Sequence, residues 1–344
     1  MRFTEEHKSE IQLYILEKID RHESGIVQSV ASTYGISKNT VVSYINEMVN
    51  SGIIERVGKG KYEIKVATYQ YNIDVSMLSE YDSDNVYSMY VSKHDELCND
   101  NAIAIMEYAV SEMVNNVIEH SGADSLKLIV RKTYLSTTII LIDNGVGIFE
   151  KIRDHFGLMT LEDAKCELFK GKVTTDPSNH TGEGIFFSSR LMDKFSIISG
   201  GIMFYINRFD IEVVSDINLM TESGTCVCME ISNRTNKQAS EIFNAFSNAD
   251  DGFIRTAIPI KNCFDRNPVS RSQARRLCNG LDRFQSAVLD FDGVSFAGQG
   301  FMHEIFVLYR KRHPELNLEV TNMSPDVEMM YLHVVNTKPI VHDV

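Results

Sequence analysis

No run of apolar residues in the chain is long enough to cross a bilayer, and the charged start Met1–Lys8 has no apolar segment behind it. A membrane-spanning helix needs about 20 mostly apolar residues, so we expect no membrane span and a cytoplasmic protein. Basic residues are also scarce, because 34 Lys and Arg stand against 47 Asp and Glu, a net charge of −13. This charge argues against a protein that coats nucleic acid, although it leaves room for one local DNA-reading module.

Paired cysteine motifs are missing as well. Six cysteines are scattered along the chain, and the one close pair, Cys226 and Cys228, has the period-two spacing of a strand. A disulfide framework or a zinc site would need paired motifs or nearby histidines. We therefore expect reduced thiols in the core.

The length of 344 residues is too great for one ordinary core and indicates two or three domains. In residues 1–66, apolar spacing predicts helices over 6–21 and 26–34, and Ser37 is the expected cap of a third helix. The residues expected to face inward from the third helix are Val41, Val42, Ile45 and Met48. A hairpin with a Gly-Lys-Gly tip follows, and the whole pattern resembles a winged helix-turn-helix domain.

That resemblance implies DNA binding by the third helix and by the hairpin, the wing. The helix residues expected to reach base edges or phosphates are Lys38, Asn39, Thr40 and Ser43. The wing residues expected to meet the DNA backbone are Arg56, Lys59 and Lys61. The helix is only thinly basic, and winged helices also bind proteins or dimerise, so a protein-binding role stays open.

The first chemical motif is Ser111–His120, at the end of a helix predicted over 102–120. Glu112 and Asn116 are four residues apart and therefore lie on one face of that helix. An amide oxygen together with phosphates suits magnesium, and a carboxylate beside them can orient or deprotonate a water or hydroxyl. Such a pair is by itself common on a solvated helix face, so its meaning depends on what accompanies it.

Two glycine motifs accompany this helix. A strand predicted over 136–142 delivers Asp143 to a turn containing Gly145 and Gly147, where a carboxylate can accept a hydrogen bond from an adenine amino group. Further on, Gly182 and Gly184 precede an apolar helix, and the amides at a helix N-terminus favour phosphate. Each glycine motif alone is also typical of a plain turn.

Taken in order, these motifs resemble the GHKL superfamily, which comprises DNA gyrase, the ninety-kilodalton heat-shock chaperones, histidine kinases and the MutL repair proteins. The resemblance implies a Bergerat ATP-binding fold, an α/β sandwich, over residues 68–235, with ATP and Mg²⁺ as cofactors. It also implies that Glu112 is the catalytic base and that Asn116 binds the metal. The residues implied to bind ATP are Asn116, Asp143, Gly145, Gly147, Gly182, Gly184 and Thr225.

The spacing Ser-Glu-Xaa-Val-Xaa-Asn-Xaa-Xaa-Xaa-His looks most like the serine kinases that act as anti-sigma factors. No histidine-bearing pair of dimerisation helices precedes it, which disfavours a sensor histidine kinase. His120 is expected to be structural and to cap a helix end. The segment Phe149–Asn179 is the expected mobile lid, from which Lys170 and Lys172 are candidates to reach phosphates, against the plainer expectation that they are solvated.

Strand and helix alternate over residues 252–337. The run Leu289–Val294 and the helix behind it resemble a STAS-like domain of unknown function, related to the antagonists of anti-sigma factors. Those antagonists accept phosphate on a serine, which is replaced here by the turn Gly298–Gly300. A metal site is disfavoured at the acidic residues Asp290, Asp292 and Glu304. Surface salt bridges are the expected role of Arg271, Arg275 and Arg276.

We therefore expect a multidomain α/β protein with an N-terminal winged helix, a central Bergerat domain and a C-terminal STAS-like domain. Its expected role is a cytoplasmic ATP-binding regulator that couples nucleotide state to DNA or partner binding in transcription control. Three activities stay open: ATP hydrolysis, phosphoryl transfer to a serine or threonine of a separate protein, and ATP or ADP sensing without catalysis. The expected partners are ATP, DNA, a protein at the STAS-like domain and a second copy of the chain.

Overall fold

The structure is a computed structural model, and it describes residues 4–78, 83–174, 181–207, 223–264 and 267–336. Within these ranges the chain is a mixed α/β protein whose strands form four sheets. Two sheets are small antiparallel pairs, one is a three-stranded parallel sheet, and one has six strands. The two larger sheets position the features described below.

The N-terminal part consists of three helices and a hairpin, as the apolar pattern predicts. Its elements are α1 (Glu5–Asp20), α2 (Ile26–Tyr34), α3 (Lys38–Asn50), β1 (Ile54–Gly58) and β2 (Lys61–Ile64). Ser37 caps α3, because its Oγ accepts a hydrogen bond from the Thr40 amide at 3.1 Å. Residues from all three helices bury their apolar faces in one cluster, together with Ile54 of the hairpin.

One residue of the predicted inner face of α3 is placed differently. Val41, Ile45 and Met48 are buried, but Val42 is 40% exposed and Tyr44 is buried instead. Val42 follows Val41 by one position, which rotates it about 100° around a helix with 3.6 residues per turn and away from the core. The apolar run Val41–Val42 therefore misled the prediction at this position.

The central sheet has the strand order β3-β4-β5-β8-β6-β7, with every neighbouring pair antiparallel. Its strands are β3 (Ala67–Asp74), β4 (Ser125–Lys132), β5 (Ser136–Asp143), β6 (Lys194–Ser199), β7 (Ile202–Ile206) and β8 (Cys226–Ser232). Residues such as Leu128 and Leu141 join the main core, whereas Ile129, Ile140 and Cys228 belong to a small cluster of their own. The sheet thus has apolar residues on both faces.

Helices cover the face of this sheet that joins the main core. They are α4 (Ser83–Val86), α5 (Asp100–Asn115), α6 (Ile148–Phe156), α7 (Leu161–Lys170), α8 (Gly184–Leu191) and α9 (Ala239–Phe246). Asn99 caps α5, since its Oδ1 accepts from the Ala102 amide at 2.9 Å. Beyond Asn115 the helix widens into a turn over Asn116–Ser121 and stops at Gly122, whose φ is +64°. This widened turn lies inside the first chemical motif.

The C-terminal part is built on a parallel sheet in the order β11-β12-β13, preceded by the short pair β9 (Ser247–Asn248) and β10 (Gly252–Phe253). The parallel strands are β11 (Arg255–Pro259), β12 (Ser286–Asp290) and β13 (Asn317–Thr321). Its helices are α10 (Ile260–Cys263), α11 (Arg271–Cys278), α12 (Gln299–His303), α13 (Arg310–Arg312) and α14 (Pro325–Asn336). A widened helical turn, Glu304–Tyr309, joins α12 to α13.

The central and C-terminal parts share one hydrophobic core. Phe253 of β10 packs against Phe186 and Phe187 of α8, with ring centroids 4.5 Å and 5.3 Å apart. The cysteines are free thiols as expected, five of them buried and Cys98 half-buried. Among the helices that the structure describes, none has the length and apolarity needed to span a membrane.

Candidate functional site

A cavity of about 370 Å³ opens between α5, α6 and α8 and brings the three chemical motifs together. Glu112 and Asn116 line it from α5 and its widened turn, and Asp143 lines it from the end of β5. Gly182 and Gly184 line it from the start of α8. Residues that are 70 positions apart in the chain thus meet at one concave surface, the usual form of a small-molecule site.

The carboxylate of Glu112 lies directly against Gly184, the first residue of α8. A Cβ atom on Gly184 would collide with Glu112 Oε2, so glycine is what permits this approach. The first amide groups of a helix have no acceptor inside the helix, and they give its N-terminus a partial positive charge. Glu112 is therefore held where negative charge is favoured, next to a surface suited to phosphate.

Asp143 is a buried carboxylate, with 5% of its surface exposed. Its Oδ1 accepts a hydrogen bond from the Gly145 amide at 2.9 Å. Burial raises the pKa of Asp143 above its ordinary value, while hydrogen bonds from the Gly145 and Thr225 backbone oppose that rise. The side chain is thus fixed in place and still has acceptor capacity for a ligand in the cavity.

The glycine turn after Asp143 serves packing as well as the cavity. Gly145 lies so close to the Ser121 carbonyl that a Cβ would clash with that backbone, and the Val146 amide donates to Ser121 O at 2.8 Å. Gly147 is similarly enclosed by Glu150 and Ser199. Neither glycine lines the cavity itself, so their absent side chains admit protein neighbours and not, as expected, a ligand.

Thr225, at the start of β8, is buried and lines the cavity beside Asp143. Its Oγ1 accepts from the Ile148 amide at 3.1 Å, and its carbonyl accepts from the Asp143 amide at 3.0 Å. These two bonds fasten the start of α6 and the end of β5 to β8. Thr225 therefore determines where the carboxylate of Asp143 stands.

Gly182 needs to be glycine for a conformational reason. Its φ is +69°, and a Cβ there would clash with the Val173 backbone, whose amide donates to Gly182 O at 3.2 Å. The preceding residues 175–180, which include the distal part of the expected lid, lie outside the described residues. The segment 171–174 therefore approaches the cavity next to the start of α8.

Both expectations for Lys170 are wrong, because this lysine is neither solvated nor part of the cavity lining. Lys170 is fully buried, and its Nζ donates to Glu167 at 2.6 Å and to the carbonyls of Arg276 and Asn279 at 2.8 Å and 2.7 Å. Lys172 donates to the Arg283 carbonyl at 3.2 Å and does not line the cavity. Both lysines face the C-terminal part, because α7 packs against it; the segment around α7 is more buried than a solvated lid would be.

Three chemically relevant residues of the cavity were missed from the sequence. Tyr108 lies one turn before Glu112 on α5, and burial, with Glu112 and Glu183 nearby, raises the pKa of its hydroxyl. Burial also raises the pKa of Glu183. Lys151 lines the cavity from α6 and donates to the His120 carbonyl. The spacing from Glu112 was the available signal for Tyr108, whereas Lys151 belongs to no motif.

The charges lining the cavity are mostly negative. The described carboxylates are Glu112, Glu119, Asp143 and Glu183, and Lys151 is the one lysine or arginine among the described lining residues. No group of three or more His, Cys, Asp or Glu side chains in the described ranges is arranged to hold a metal. The single amide oxygen of Asn116 fits magnesium in the way such sites usually do, as one protein ligand beside phosphate oxygens.

His120 was expected to be structural, capping a helix end. In the structure the widened turn is capped by Gly122, and the His120 carbonyl accepts a hydrogen bond from Lys151. The side chain of His120 in addition lines the cavity and lies 4.0 Å from Glu119. The residue therefore combines a backbone role with a place at the cavity wall.

The predicted DNA-contacting residues are mostly exposed on α3 and the hairpin. Thr40 is the exception, since it is half-buried and its Oγ1 lies 2.8 Å from Ser37 Oγ in the cap of α3. Arg56 donates to the Tyr62 hydroxyl at 3.1 Å. The exposed members of the set are Lys38, Asn39, Ser43, Arg56, Lys59 and Lys61. They form two accessible groups, one on each element.

Polar residues of the C-terminal part have structural partners. Glu304 is buried and pairs with Arg275 and Arg312 at 3.1 Å and 3.4 Å, and Asp290 accepts from Asn322 at 2.9 Å. Arg276 pairs with Asp163 of α7 at 2.9 Å. The expectation of salt bridges is therefore confirmed for Arg275 and Arg276.

Comparison with known proteins adds one finding about this part of the chain. A family model described as a STAS-like domain of unknown function (DUF4325) matches residues 273–328, from α11 into α14. No curated protein matches the chain. The protein therefore carries a STAS-like domain in its C-terminal part.

Proposed function

We propose that the cavity binds ATP together with magnesium and that Glu112 directs the chemistry at the terminal phosphate. The carrying observation is that Glu112, Asn116, Asp143, Gly184 and Thr225 line one cavity of about 370 Å³. Their chemical types match the parts of a nucleotide, which are a base with an amino group, a metal-bound phosphate chain and a reacting end. The GHKL resemblance assigns them the same roles.

The chain's residues orient the nucleotide at both ends. The Asp143 carboxylate, fixed by the Gly145 amide, accepts a hydrogen bond from the amino group of the base. The phosphates lie at the N-terminus of α8, where backbone amides and the helix dipole favour negative charge. When bound beside Asn116, magnesium would neutralise phosphate charge.

Glu112 acts at the reacting end. Its carboxylate touches the start of α8, so it lies beside the place proposed for the terminal phosphate. From there it orients a water or a hydroxyl and accepts its proton as the new bond to phosphorus forms, while the bond from the terminal phosphorus to the bridging oxygen breaks and ADP leaves. The hydroxyl of half-buried Tyr108, one turn earlier, remains protonated near this carboxylate and can donate a hydrogen bond to it.

The flanking parts make the protein a candidate regulator. Lys170 is bonded to carbonyls of the C-terminal part, and the next residues, Gly171 to Thr174, pass the cavity. A nucleotide that shifts this segment would change its contacts with the STAS-like domain. We propose that this coupling changes the affinity of the N-terminal part for DNA or of the STAS-like domain for a protein. The coupling would be refuted if the affinity for DNA and the affinity for the protein partner were both the same with and without ATP.

One experiment tests the chemistry. The purified chain is incubated with magnesium and ATP labelled in its terminal phosphate, and free phosphate and protein-bound label are followed together. Glu112→Gln should lower turnover about 100-fold or more and leave ATP bound, because the general base is lost while the site keeps its shape. The matched control is Glu107→Gln, an exposed carboxylate on the same helix, which should behave like the native chain.

The distribution of label separates the open activities. Free phosphate indicates hydrolysis, and label on a co-purified protein indicates a kinase. ATP that binds and stays intact indicates a sensor without catalysis, which contradicts the role given to Glu112. Equal turnover in the native chain and in Glu112→Gln contradicts it as well.

A further inference from the structure

Lys151 is a lysine that lines the cavity and belongs to none of the sequence motifs. We propose that its ammonium binds the phosphate attached to the ribose, the α-phosphate, of the nucleotide, an inference that rests on the proposed function. Lys151 extends from the first turn of α6, directly behind the turn that follows Asp143.

The ammonium of Lys151 is available to a ligand. Its hydrogen bond goes to the His120 carbonyl, and in the described parts of the chain no carboxylate forms an ion pair with it. That carbonyl lies at the end of the widened turn following α5, where the helix dipole favours a cation. The bond thus positions the ammonium without neutralising it, and burial lowers the pKa of Lys151 with no anion to offset the cost.

The position of Lys151 indicates which phosphate it meets. The reacting end of the cavity is marked by Glu112 against Gly184, and the base end by Asp143. Glu112 and His120 are eight residues apart, roughly 12 Å along the axis at 1.5 Å per residue. Lys151 reaches the His120 end, so it lies nearer to the base than to Glu112.

A second observation ties the His120 end to the base. Ser121, the neighbour of His120, holds the turn after Asp143, because its carbonyl accepts from the Val146 amide at 2.8 Å. The group of a nucleotide that lies between the base and the outer phosphates is the ribose with its α-phosphate. A cation there meets a charge that AMP, ADP and ATP share.

The charge of the cavity gives this contact its weight. Four described carboxylates line the cavity, and Lys151 is the one lysine or arginine among the described lining residues. A bound phosphate chain adds further negative charge to this acidic surface. Asn116 would hold magnesium, which when bound would offset charge on the outer phosphates, and Lys151 binds the inner one. Charge-assisted contacts of this kind contribute more than neutral hydrogen bonds.

Calorimetric titration of the full chain tests the assignment with adenosine, AMP, ADP and ATP as probes. Lys151→Ala should lower the affinity for AMP, ADP and ATP by about tenfold or more. The affinity for adenosine should not change, because adenosine has no phosphate. Lys151→Arg should recover much of the loss. Lys311→Ala, which removes an exposed lysine on α13, is the matched control and should bind all four probes as the native chain does.

The outcomes are distinguishable. ATP affinity that is unchanged in Lys151→Ala overturns the role of Lys151 and leaves the proposed function standing. An equal loss for adenosine and ATP also overturns it, because the residue then only supports the fold, which thermal unfolding of the variant would show. A native chain that binds none of the four probes overturns the proposed function and this inference together.

Discussion

The carboxylate of Asp143 stands in a place that costs stability. Burial raises its pKa, so the charged form at neutral pH is less favourable in the folded chain than in the unfolded one. Its hydrogen bond from Gly145 returns part of that cost. A cost of this kind is typical of a functional side chain, because a neutral residue would serve the fold better.

Asp143→Asn should therefore raise the free energy of unfolding at neutral pH and lower the affinity for ATP. Between its ordinary pKa of 3.8 and the raised value, the folded native chain binds more protons than the unfolded chain, so native stability falls as pH rises. The Asn side chain does not titrate, so its advantage grows across that window and then stays constant. Urea unfolding at several pH values checks this, and calorimetry should show ATP affinity about tenfold lower. A constant stability difference at every pH would refute the account.

Gly145 offers a steric test of the turn after Asp143. In Gly145→Ala the new Cβ would meet the backbone of Ser121, which cannot rotate away as a side chain can. We expect a loss of about 1–3 kcal/mol of stability, and weaker ATP binding as the turn shifts. Gly58→Ala is the control, since the nearest atoms to its Cβ are 3.8 Å away. Thermal unfolding and calorimetry measure both, and equal behaviour of the two variants would contradict the packing described.

Helix α7 shows how tertiary packing decides the role of a charged residue. Lys170 and Lys172 are two positions apart in a polar segment whose sequence predicts a loop. Lys170 is nevertheless fully buried. Its three acceptors come from Glu167 and from two carbonyls more than 100 residues away. No local pattern carries that information, so the sequence placed Lys170 in the wrong environment.

Lys170→Met should destabilise the chain by about 3 kcal/mol, because it removes the buried ammonium that pairs with Glu167 and donates to the carbonyls of Arg276 and Asn279. Lys311→Met, at an exposed position, should change stability by no more than about 0.5 kcal/mol. Urea unfolding compares the two. If Lys170 contacted phosphate instead, the substitution would leave the free energy of unfolding unchanged and would lower the affinity for ATP. That result would contradict the structure.

Strands divide into those with a clear pattern and those without one. β5 has a dense apolar run and was predicted within one residue at each end. β3 was missed, since as an edge strand it has one buried residue, Ile73, among polar ones. β11 was missed because its five residues, Arg255–Pro259, are short and end in proline, and its partner β12 is about 30 residues away.

Apart from the small cluster around Ile129 and Ile140, the described residues form two hydrophobic clusters. The N-terminal helices have a cluster of their own, whereas the central and C-terminal parts share one. The sequence indicated three domains from composition and motifs, and it had no means of showing that α7 and α8 pack against the C-terminal part. Glu112 and Asp143 could be named as candidates from motifs in the sequence, whereas Lys151 comes to the cavity only through the fold.

Truncation tests this division. A chain of residues 67–344 should remain folded, because it keeps the shared core. A chain of residues 1–250 should aggregate or lose cooperative unfolding, because it exposes Phe186 and Phe187, which pack on Phe253 in the full chain. Calorimetric unfolding and limited proteolysis compare the two. A stable, cooperative 1–250 chain would show that the shared core is not required.

The binding of ATP to the full native chain tests the central claim most directly. Calorimetry with magnesium should give one ATP per chain. A chelator or Asn116→Ala should weaken binding about tenfold or more, because the outer phosphates then lack a counter-charge in this acidic cavity. Asp143→Asn should weaken it through the base instead, with or without the metal. The account would be contradicted if the native chain bound no ATP. It would also be contradicted if neither Asn116→Ala nor Asp143→Asn changed the affinity for ATP.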